Sequence, residues 1–529
     1  HCKPHLDAFE RLWANKSSST AVIDLPEACV QKLIHICPKG SPPSEELESE
    51  IWDSLRFKSS TKSNENTPKV PKIYKGKEFL LRDHQTKALN DWKTIGDGHG
   101  IFALATGAGK TITAIYGIVK MSEAVQGLTV IISVPYQNLA DQWCDELEHF
   151  NIIPIKCYQN KQNWAEPLDK AIHQLKSGNR KFLALVVVNR TLTSPDFQEM
   201  MKEINGGKLL WIGDECHHHS SATYSKFLPS HAKFRIGLSA TPEHYLDESR
   251  NDRLESYYGQ VIARYTLKEA IEDKHLTPYE YHVIPIELTA NEAEEYIELS
   301  QKVSKLFSQL ENQFSEQTKS VLDALLRKRS RLLGSAKNKS VALSNLLSDE
   351  KPQKHTLFYC GDGRVETDNE NDEDDVRQVE QISMLLSDLG WDCSRFTSQE
   401  SRKEREAILE NFRLGVIDCM VAIRCLDEGI DIPACSKAYF LASSRNPRQF
   451  IQRRGRVLRK AIGKDKAVIY DLLVTLPDNV DDNEDGYARD LVVKELERVV
   501  EFTELSQNKH DAFKVLRPIL KKYDLAHMV

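Results

Sequence analysis

Short apolar runs alternate with helical patterns along the first half of the chain. Each run is five to seven residues long and almost continuously apolar. Strands of this kind are typical of a parallel sheet that helices cover on both faces. The pattern therefore predicts a parallel sheet whose strands lie at residues 101–105, 128–134, 182–188, 209–213 and 234–239.

The same alternation returns in the second half, where the predicted strands lie at residues 356–359, 392–396, 418–423, 438–441 and 467–472. Between the two blocks, Leu299, Val303 and Leu306 recur at helical spacing with charged residues between them, which predicts a helical insert. The tail predicts two helices separated near residues 507–509. The expected fold class is α/β, with two tandem parallel sheets covered by helices, a helical insert and a helical C-terminal tail.

These patterns divide the chain into six segments. Residues 58–72 are polar and rich in turn formers, which is typical of a linker. The residues before the linker could be the tail of a truncated upstream domain. The predicted segments are an N-terminal segment at 1–57, the linker at 58–72, a first α/β domain at 73–275, a connecting strand with the helical insert at 276–350, a second α/β domain at 351–477, and an acidic loop with the helical tail at 478–529.

Composition narrows the class of protein only a little. Hydrophobic residues make up 40% and charged residues 28%, as in an ordinary globular protein. No run reaches the roughly 18 apolar residues that a membrane span requires. The net charge is -7, but two acidic segments, 366–375 and 478–485, dominate it, so a basic groove elsewhere is compatible with it. The 11 cysteines form no CxxC pair, and their odd number in so large a chain favours reduced thiols and a cytoplasmic protein.

A glycine-containing loop follows the first predicted strand. The run ATGAGKT at residues 105–111 fits the phosphate-loop pattern, except that Leu104 stands at the first glycine position. Lys110 would neutralise the β- and γ-phosphates of ATP, and Thr111 would supply its hydroxyl to Mg²⁺. We therefore expect ATP and Mg²⁺ as cofactors, with the nucleotide held by Thr106, Gly107, Ala108, Gly109, Lys110 and Thr111.

Two acidic residues follow the predicted strand at 209–213. Asp214 would hold Mg²⁺ through its hydration shell, and Glu215 would polarise the attacking water as a general base. Cys216 and His217 complete a DECH tetrapeptide. His217 also opens a run of three histidines, but three successive side chains cannot all reach one ion from a strand end, so no zinc site is predicted.

An arginine-rich run, QRRGRVLR at residues 452–459, lies in the second block. Arg456 and Arg459 lie three residues apart, so on a helix they would share one face. From the second domain they could reach the γ-phosphate as arginine fingers and neutralise charge in the transition state. The predicted catalytic residues are thus Glu215, Asp214, Lys110, Arg456 and Arg459.

With these three runs in this order, the chain resembles superfamily 2 helicases and translocases of the DEAD/DEAH (DExH) type. The resemblance covers residues 74–472 and implies two RecA-like domains that bind ATP in their cleft. It implies that Gln85, in LRDHQ at 81–85, reads the adenine edge, and that Gly429 and Asp431 approach the nucleotide. It also implies that hydrolysis is coupled to domain movement through Ser239, Ala240, Thr241 and Gln452.

The resemblance further implies a groove for nucleic acid across the two domains. Ile423 stands where such proteins often carry threonine, which weakens one expected strand contact. The residues implied to contact nucleic acid are Pro135, Tyr136, Asn189, Arg190, Thr191, Thr397, Ser398 and Arg424.

Within the superfamily, the chain is most similar to the branch near XPB, UvrB and the restriction-enzyme translocases, through runs such as LADQW at 139–143. The resemblance implies an ATP-dependent DNA helicase or translocase, with DNA favoured over RNA, in a prokaryotic restriction or anti-phage defence system. Two alternatives stay open: an RNA helicase, and an ATP-dependent nucleic-acid-sensing switch that licenses a partner nuclease. A nuclease domain or a partner protein is therefore an expected partner, and no membrane is.

Overall fold

The computed structural model describes residues 67–244, 247–310, 316–361, 364–365, 376–397, 399–423, 432, 434–442, 447–461, 463–477 and 487–526. The predicted N-terminal segment and both acidic segments lie outside these ranges. The chain forms two compact units. The first comprises residues 1–67 and 71–80, and its described part includes a hairpin of β1 (Ile73–Tyr74) and β2 (Lys77–Glu78). The second unit comprises residues 68–70 and 81–529 and contains both large sheets.

The first large sheet has seven parallel strands. In chain order they are β3 (His99–Leu104), β4 (Leu128–Val134), β5 (Ile155–Cys157), β6 (Phe182–Val188), β7 (Leu209–Asp214), β8 (Phe234–Ser239) and β9 (Val261–Tyr265). Their order across the sheet is β5-β6-β4-β7-β8-β3-β9. The central strands β4, β6 and β7 are buried at every position, which explains why their sequences are mostly apolar; Thr129, Ser133 and Asp214 are buried polar residues among them.

Helices lie before, between and after these parallel strands, and a parallel sheet requires crossovers of this kind. They are α1 (Asp83–Thr94), α2 (Lys110–Ala124), α3 (Gln137–Glu148), α4 (Ala165–Lys176), α5 (Asn189–Leu192), α6 (Pro195–Lys202), α7 (Glu248–Tyr258) and α8 (Leu267–Glu272). The side chain of Ser194 accepts a hydrogen bond from the Phe197 amide at the start of α6, and Pro195 follows as the first helical residue. Both features favour a helix start at this point.

The second large sheet has six parallel strands. They are β10 (Tyr279–Glu287), β11 (Thr356–Tyr359), β14 (Cys393–Phe396), β15 (Cys419–Ala422), β16 (Lys437–Phe440) and β17 (Ala467–Thr475), ordered β10-β17-β16-β11-β15-β14. A separate two-stranded ladder pairs β12 (Arg364–Val365) with β13 (Val376–Arg377). The described helices of this half are α9 (Ala290–Leu310), α10 (Glu316–Gly334), α11 (Asn338–Leu347), α12 (Gln378–Asp388), α13 (Arg402–Arg413), α14 (Pro447–Val457), α15 (Tyr487–Glu504) and α16 (Lys509–Lys522).

The ten predicted strands are all present, each within three residues of its predicted ends. The helical insert is confirmed as α9, α10 and α11, and the tail forms the two predicted helices. The strand that was predicted only as a connection, β10, is an edge strand of the second sheet and pairs with β17 along its whole length. Among the described residues, no helix is both long enough and apolar enough to cross a membrane.

Candidate nucleotide site and nucleic-acid groove

The loop between β3 and α2 has the backbone shape that a phosphate cradle needs. Gly107 and Gly109 have φ angles of 84° and 89°, in the left-handed region that glycine adopts without strain. Gly109 precedes the first residue of α2, and no side chain caps this helix. The Oγ1 atom of Thr106 is buried and has no hydrogen-bond partner among the described residues. Uncapped helix amides and an orphaned hydroxyl beside two glycines fit a bound phosphate group.

Residues from the LRDHQ run brace this loop from one side. The Nε2 atom of Gln85 donates to the Gly109 carbonyl at 3.2 Å, and its Oε1 accepts from the Arg82 amide at 2.9 Å. His84 Nε2 lies 2.9 Å from the Ala108 carbonyl, and the His84 ring stacks on Tyr265 with centroids 3.8 Å apart. The predicted adenine reader is therefore a buried contact of the phosphate loop, and its neighbour His84, which the sequence interpretation did not single out, contacts the same loop.

Lys110 and the acidic pair lie at the ends of two strands of the same sheet. Lys110 Nζ donates to the Leu104 carbonyl at 3.2 Å, at the end of β3. Asp214 ends β7 and is 4% exposed. Its Oδ2 accepts from Trp143 Nε1 at 2.8 Å, and its Oδ1 accepts from the Glu215 amide at 3.0 Å. These two donors fix the orientation of the Asp214 carboxylate.

Glu215 has a left-handed backbone, with a φ of 46°. Such a conformation is uncommon in a non-glycine residue and occurs often at functional sites. The Glu215 Oε2 atom lies 3.4 Å from His217 Nδ1, which is also 3.2 Å from the Ser239 hydroxyl. Ser239 Oγ in turn accepts from the Thr241 amide at 3.2 Å. The predicted coupling run 239–241 is thus joined to the predicted base through one histidine.

The arginine-rich run lies directly against the phosphate loop. A Cβ atom at Gly455 would fall 2.5 Å from Thr106 Cβ, and one at Gly107 would fall 3.6 Å from Arg459 Cγ. The backbone is held near this point by Thr277, whose amide donates to the Leu458 carbonyl at 2.8 Å. The structure therefore brings Arg459 to the loop that is predicted to bind phosphate.

One geometric expectation for the arginines is wrong. The two predicted fingers were expected to share a helix face, but α14 ends at Val457 and Arg459 lies beyond it. The Arg459 amide donates to the Arg456 carbonyl at 3.5 Å, three residues back, which is a tighter turn than an α-helix makes. Arg456 is 6% exposed and lies within the helix. The side chain of Gln452 lies outside the described residues.

The other two arginines of the run, Arg453 and Arg454, bind residues of the second half of the chain. The Arg454 guanidinium is buried, donates to Glu501 at 2.7 Å and stacks over Phe502, with its Cζ 4.1 Å from the ring centroid. Arg453 donates to the Ala442 carbonyl at 3.2 Å. Arg454 therefore anchors the tail helix α15 to α14.

The predicted groove residues divide into exposed and buried groups. Tyr136 is 49% exposed, Arg190 is exposed, and Pro135 and Thr191 are half-buried. Two expected contacts are corrected. Asn189 is 3% exposed and its Oδ1 accepts from Ser133 Oγ at 2.9 Å, so its side chain serves the protein interior.

Thr397 is the second correction. It is 6% exposed, and its hydroxyl donates to Glu400 at 2.7 Å within a local turn, so its side chain is not presented to a bound strand. Four further predicted residues lie outside the described residues: Ser398, Arg424, Gly429 and Asp431.

The three successive histidines have separate surroundings. His217 contacts Glu215 and Ser239, whereas His218 lies edge-on to Tyr136 with ring centroids 6.0 Å apart. His219 is fully buried, and burial lowers the pKa of its imidazole to about 3. The positions of His219 and of Trp143 relative to the site could not be read from spacing, because their partners lie far away along the chain.

Two family models match the chain. The type III restriction enzyme res subunit model matches residues 78–244, and the helicase conserved C-terminal domain model matches residues 338–461. The first match contains the phosphate loop and the acidic pair, and the second contains the arginine-rich run.

Individual relatives agree with these matches. The DNA 3'-5' translocase XPB2 of Sulfurisphaera tokodaii is 26% identical over 445 residues, which cover 81% of this chain and 86% of that protein. The type I restriction enzyme EcoAI endonuclease subunit of Escherichia coli is 26% identical over 276 residues, which cover 49% of this chain and 30% of that protein.

A solved structure extends the likeness to the fold. The ATP-dependent type ISP restriction-modification enzyme LlaBIII bound to DNA superposes with a TM-score of 0.53 at 17% identity, over 85% of this chain and 33% of that chain. The chain therefore spans about a third of each of these two restriction enzymes. The matched families, the XPB2 relative, the shared fold and the order of the three runs support a superfamily 2 helicase or translocase of the XPB and restriction-translocase branch, a nucleic-acid-dependent ATPase with two RecA-like domains.

Proposed function

We propose that this protein is an ATP-dependent DNA translocase or helicase. One observation carries the proposal: the arginine-rich run of the second domain lies against the phosphate loop of the first, with Gly455 packed on Thr106 and Arg459 beside Gly107. A nucleotide held at this loop would touch both domains. Its binding and hydrolysis would therefore change how the two domains are held together, which is what stepping along a strand requires.

In the proposed reaction, Lys110 and the loop amides hold the β- and γ-phosphates, and Lys110 exchanges its present bond to the Leu104 carbonyl for a phosphate oxygen. Glu215 accepts a proton from the attacking water, which makes that water a better nucleophile. Arg456 and Arg459 stabilise the negative charge that develops on the transferred phosphoryl group. Gln85, already bonded to the loop, is proposed to report adenine binding to it.

The acidic pair also suits a magnesium ion. Asp214 has both carboxylate oxygens oriented by donors, and an ionised carboxylate is an acceptor of the kind that a metal-bound water needs. We assign Thr111 and Asp214 to Mg²⁺ bound with ATP. When bound, the ion would neutralise charge on the β- and γ-phosphate oxygens.

DNA is the proposed substrate because the relatives named above are a DNA translocase and DNA-restriction enzymes. The setting that this suggests is a prokaryotic restriction or defence system, with a nuclease domain or subunit as the partner. The seven cysteines in the described ranges are free thiols, which is consistent with the proposed cytoplasmic location. The relatives do not favour an RNA helicase or a stationary switch.

The proposal is tested by the ATPase rate over a panel of single-stranded, double-stranded and forked DNA and RNA at fixed salt. We expect DNA to stimulate hydrolysis more than RNA of the same sequence and form. Phosphate contacts should dominate binding, so the affinity should fall steeply with salt and depend little on sequence. Stimulation by RNA with DNA inert would overturn the substrate assignment.

A further inference from the structure

The histidines that follow the DECH box connect the groove to the general base. We propose that His218 and His219 are positioning residues that transmit nucleic-acid binding at the groove to Glu215. This inference rests on the function proposed above, because it requires a strand bound near Tyr136 and Arg190. Neither histidine has a role in the reaction described so far.

His218 provides a short surface route. The exposed ring of Tyr136 meets the His218 ring edge-on, with centroids 6.0 Å apart. The His218 ring lies 4.4 Å from the His217 ring, and His217 Nδ1 lies 3.4 Å from Glu215 Oε2. Three consecutive contacts thus lead from a groove side chain to the proposed base. A nucleobase of the bound DNA that stacks on Tyr136 would directly displace the first ring of these three contacts.

His219 provides a buried route with a defined direction of hydrogen bonding. Trp211 Nε1 is only a donor and donates to the Tyr258 hydroxyl at 2.9 Å. The Tyr258 hydroxyl lies 2.6 Å from His219 Nδ1, and its own proton is free to donate there. His219 Nε2 then carries the ring proton and donates to Asn189 Oδ1, which is 3.1 Å away and can only accept.

Ser133 completes this arrangement. Its hydroxyl donates to the same Asn189 oxygen at 2.9 Å and lies 3.3 Å from His219 Nε2. The neutral imidazole that this pattern needs is the form that burial favours, because burial lowers the pKa of His219 to about 3. Each ring nitrogen therefore has one assigned role, and the network tolerates little displacement of its members.

The network joins three neighbouring strand ends. Ser133 lies near the end of β4, Asn189 follows β6, and His219 follows β7, and these strands are adjacent in the order β6-β4-β7. Tyr136 lies three residues after Ser133, and Arg190 directly follows Asn189. A bound DNA strand that pulls on Tyr136 or Arg190 would move Ser133 or Asn189, which are both partners of His219. His219 itself lies four residues after Glu215 in the sequence. Coupling of this kind travels through packed contacts and hydrogen bonds that respond together.

The test compares ATPase rates with and without saturating DNA in three variants of the full chain. His219→Leu removes the donor and the acceptor, His219→Gln keeps one of each, and His218→Ala removes the ring beside Tyr136. We expect His219→Leu and His218→Ala to reduce the DNA-stimulated to basal rate ratio about fivefold or more, with the basal rate and the DNA Kd changed less than about twofold. His219→Gln should keep at least about half of the ratio.

Thermal melting separates coupling from folding. His173→Ala, at an exposed position on α4, is the matched control and should leave the ratio unchanged. If His219→Leu lowers the Tm strongly, His218→Ala decides, because His218 lies on the surface route and outside the buried hydrogen-bond network. An unchanged ratio in His218→Ala, or an equal loss of basal and stimulated rates, would overturn the inference alone. A wild-type chain that DNA does not stimulate would overturn the proposed function and this inference with it.

Discussion

Gly455 packs against Thr106 so closely that a methyl group at Gly455 would overlap the threonine side chain. The Cβ of an alanine there would fall 2.5 Å from Thr106 Cβ and 3.1 Å from its Oγ1. Real Cβ contacts are essentially never this short. Through this contact, the second domain packs directly on the phosphate loop of the first domain.

Gly455→Ala is therefore expected to lower the DNA-stimulated rate of ATP hydrolysis without lowering the Tm. Alanine favours a helix over glycine by about 1 kcal/mol, so α14 itself should not be weakened. The displaced helix would carry Arg456 and Arg459 away from the phosphates, and a shift of about 1 Å can cost about a hundredfold in rate. The DNA-stimulated kcat and the Tm would be measured together. Gly334→Ala is the control, because its Cβ would lie 3.7 Å from the Gly361 Cα, an ordinary contact.

Replacing the proposed base tests the assignment of Glu215. Glu215→Gln should keep ATP binding, because the phosphate loop is unchanged, and should lower turnover about a hundredfold or more. Lys110→Ala should weaken both binding and turnover. Equilibrium binding of a fluorescent ATP analogue and steady-state hydrolysis distinguish the two variants. A Glu215→Gln protein that hydrolyses ATP near the wild-type rate would show that another residue is the base.

Charge reversal in the groove tests its position. Arg190 follows the carboxyl end of β6, whereas the exposed Lys181 precedes the other end of the same strand. Arg190→Glu should weaken DNA binding and reduce the slope of log K against log salt by about one, because a phosphate contact is lost. Lys181→Glu makes the same charge change roughly 23 Å away and should have little effect on the slope. Equal effects of the two variants would mean that no specific groove contact exists at Arg190.

Acid stability should depend on His219. Burial lowers its folded pKa to about 3, below the ordinary histidine pKa of 6.5, so the unfolded chain binds the extra proton more readily. Stability is therefore fully present above pH 6.5 and is lost as the pH falls towards 3, by about 1.4 kcal/mol per pH unit from this residue. Urea unfolding between pH 7 and pH 4.5 should show a flatter profile for His219→Gln. Parallel profiles for variant and wild type would contradict the neutral, buried imidazole.

The sequence pattern reveals the strands that are buried on both faces more readily than the edges. β4, β6 and β7 were predicted because nearly all of their residues are apolar, and every position in them is buried. β5 has three residues with an exposed Lys156 in the middle, and β9 carries an exposed Arg264, so neither gives a clear apolar run. Edge strands face solvent, and their periodicity is correspondingly weak.

The site residues were predictable where chemistry dictates residue type, as in the phosphate loop and the acidic pair. The network around His219 was not, because its hydrogen bonds join residues 30, 39 and 86 positions apart. The resemblance implied a nucleic-acid contact at Asn189, and only the fold shows that its side chain turns inward. The end of α14 at Val457, which leaves Arg459 beyond the helix, likewise could not be read from the three-residue spacing of the two arginines.

Displacement of a DNA triplex measures ATP-driven movement along DNA itself. A third strand placed ahead of the protein on duplex DNA is released only if the protein moves, and its release can be followed by fluorescence. We predict release that requires ATP and is lost in Glu215→Gln. DNA-stimulated ATP hydrolysis without any triplex release would contradict the account and would leave an ATP-dependent switch as the function.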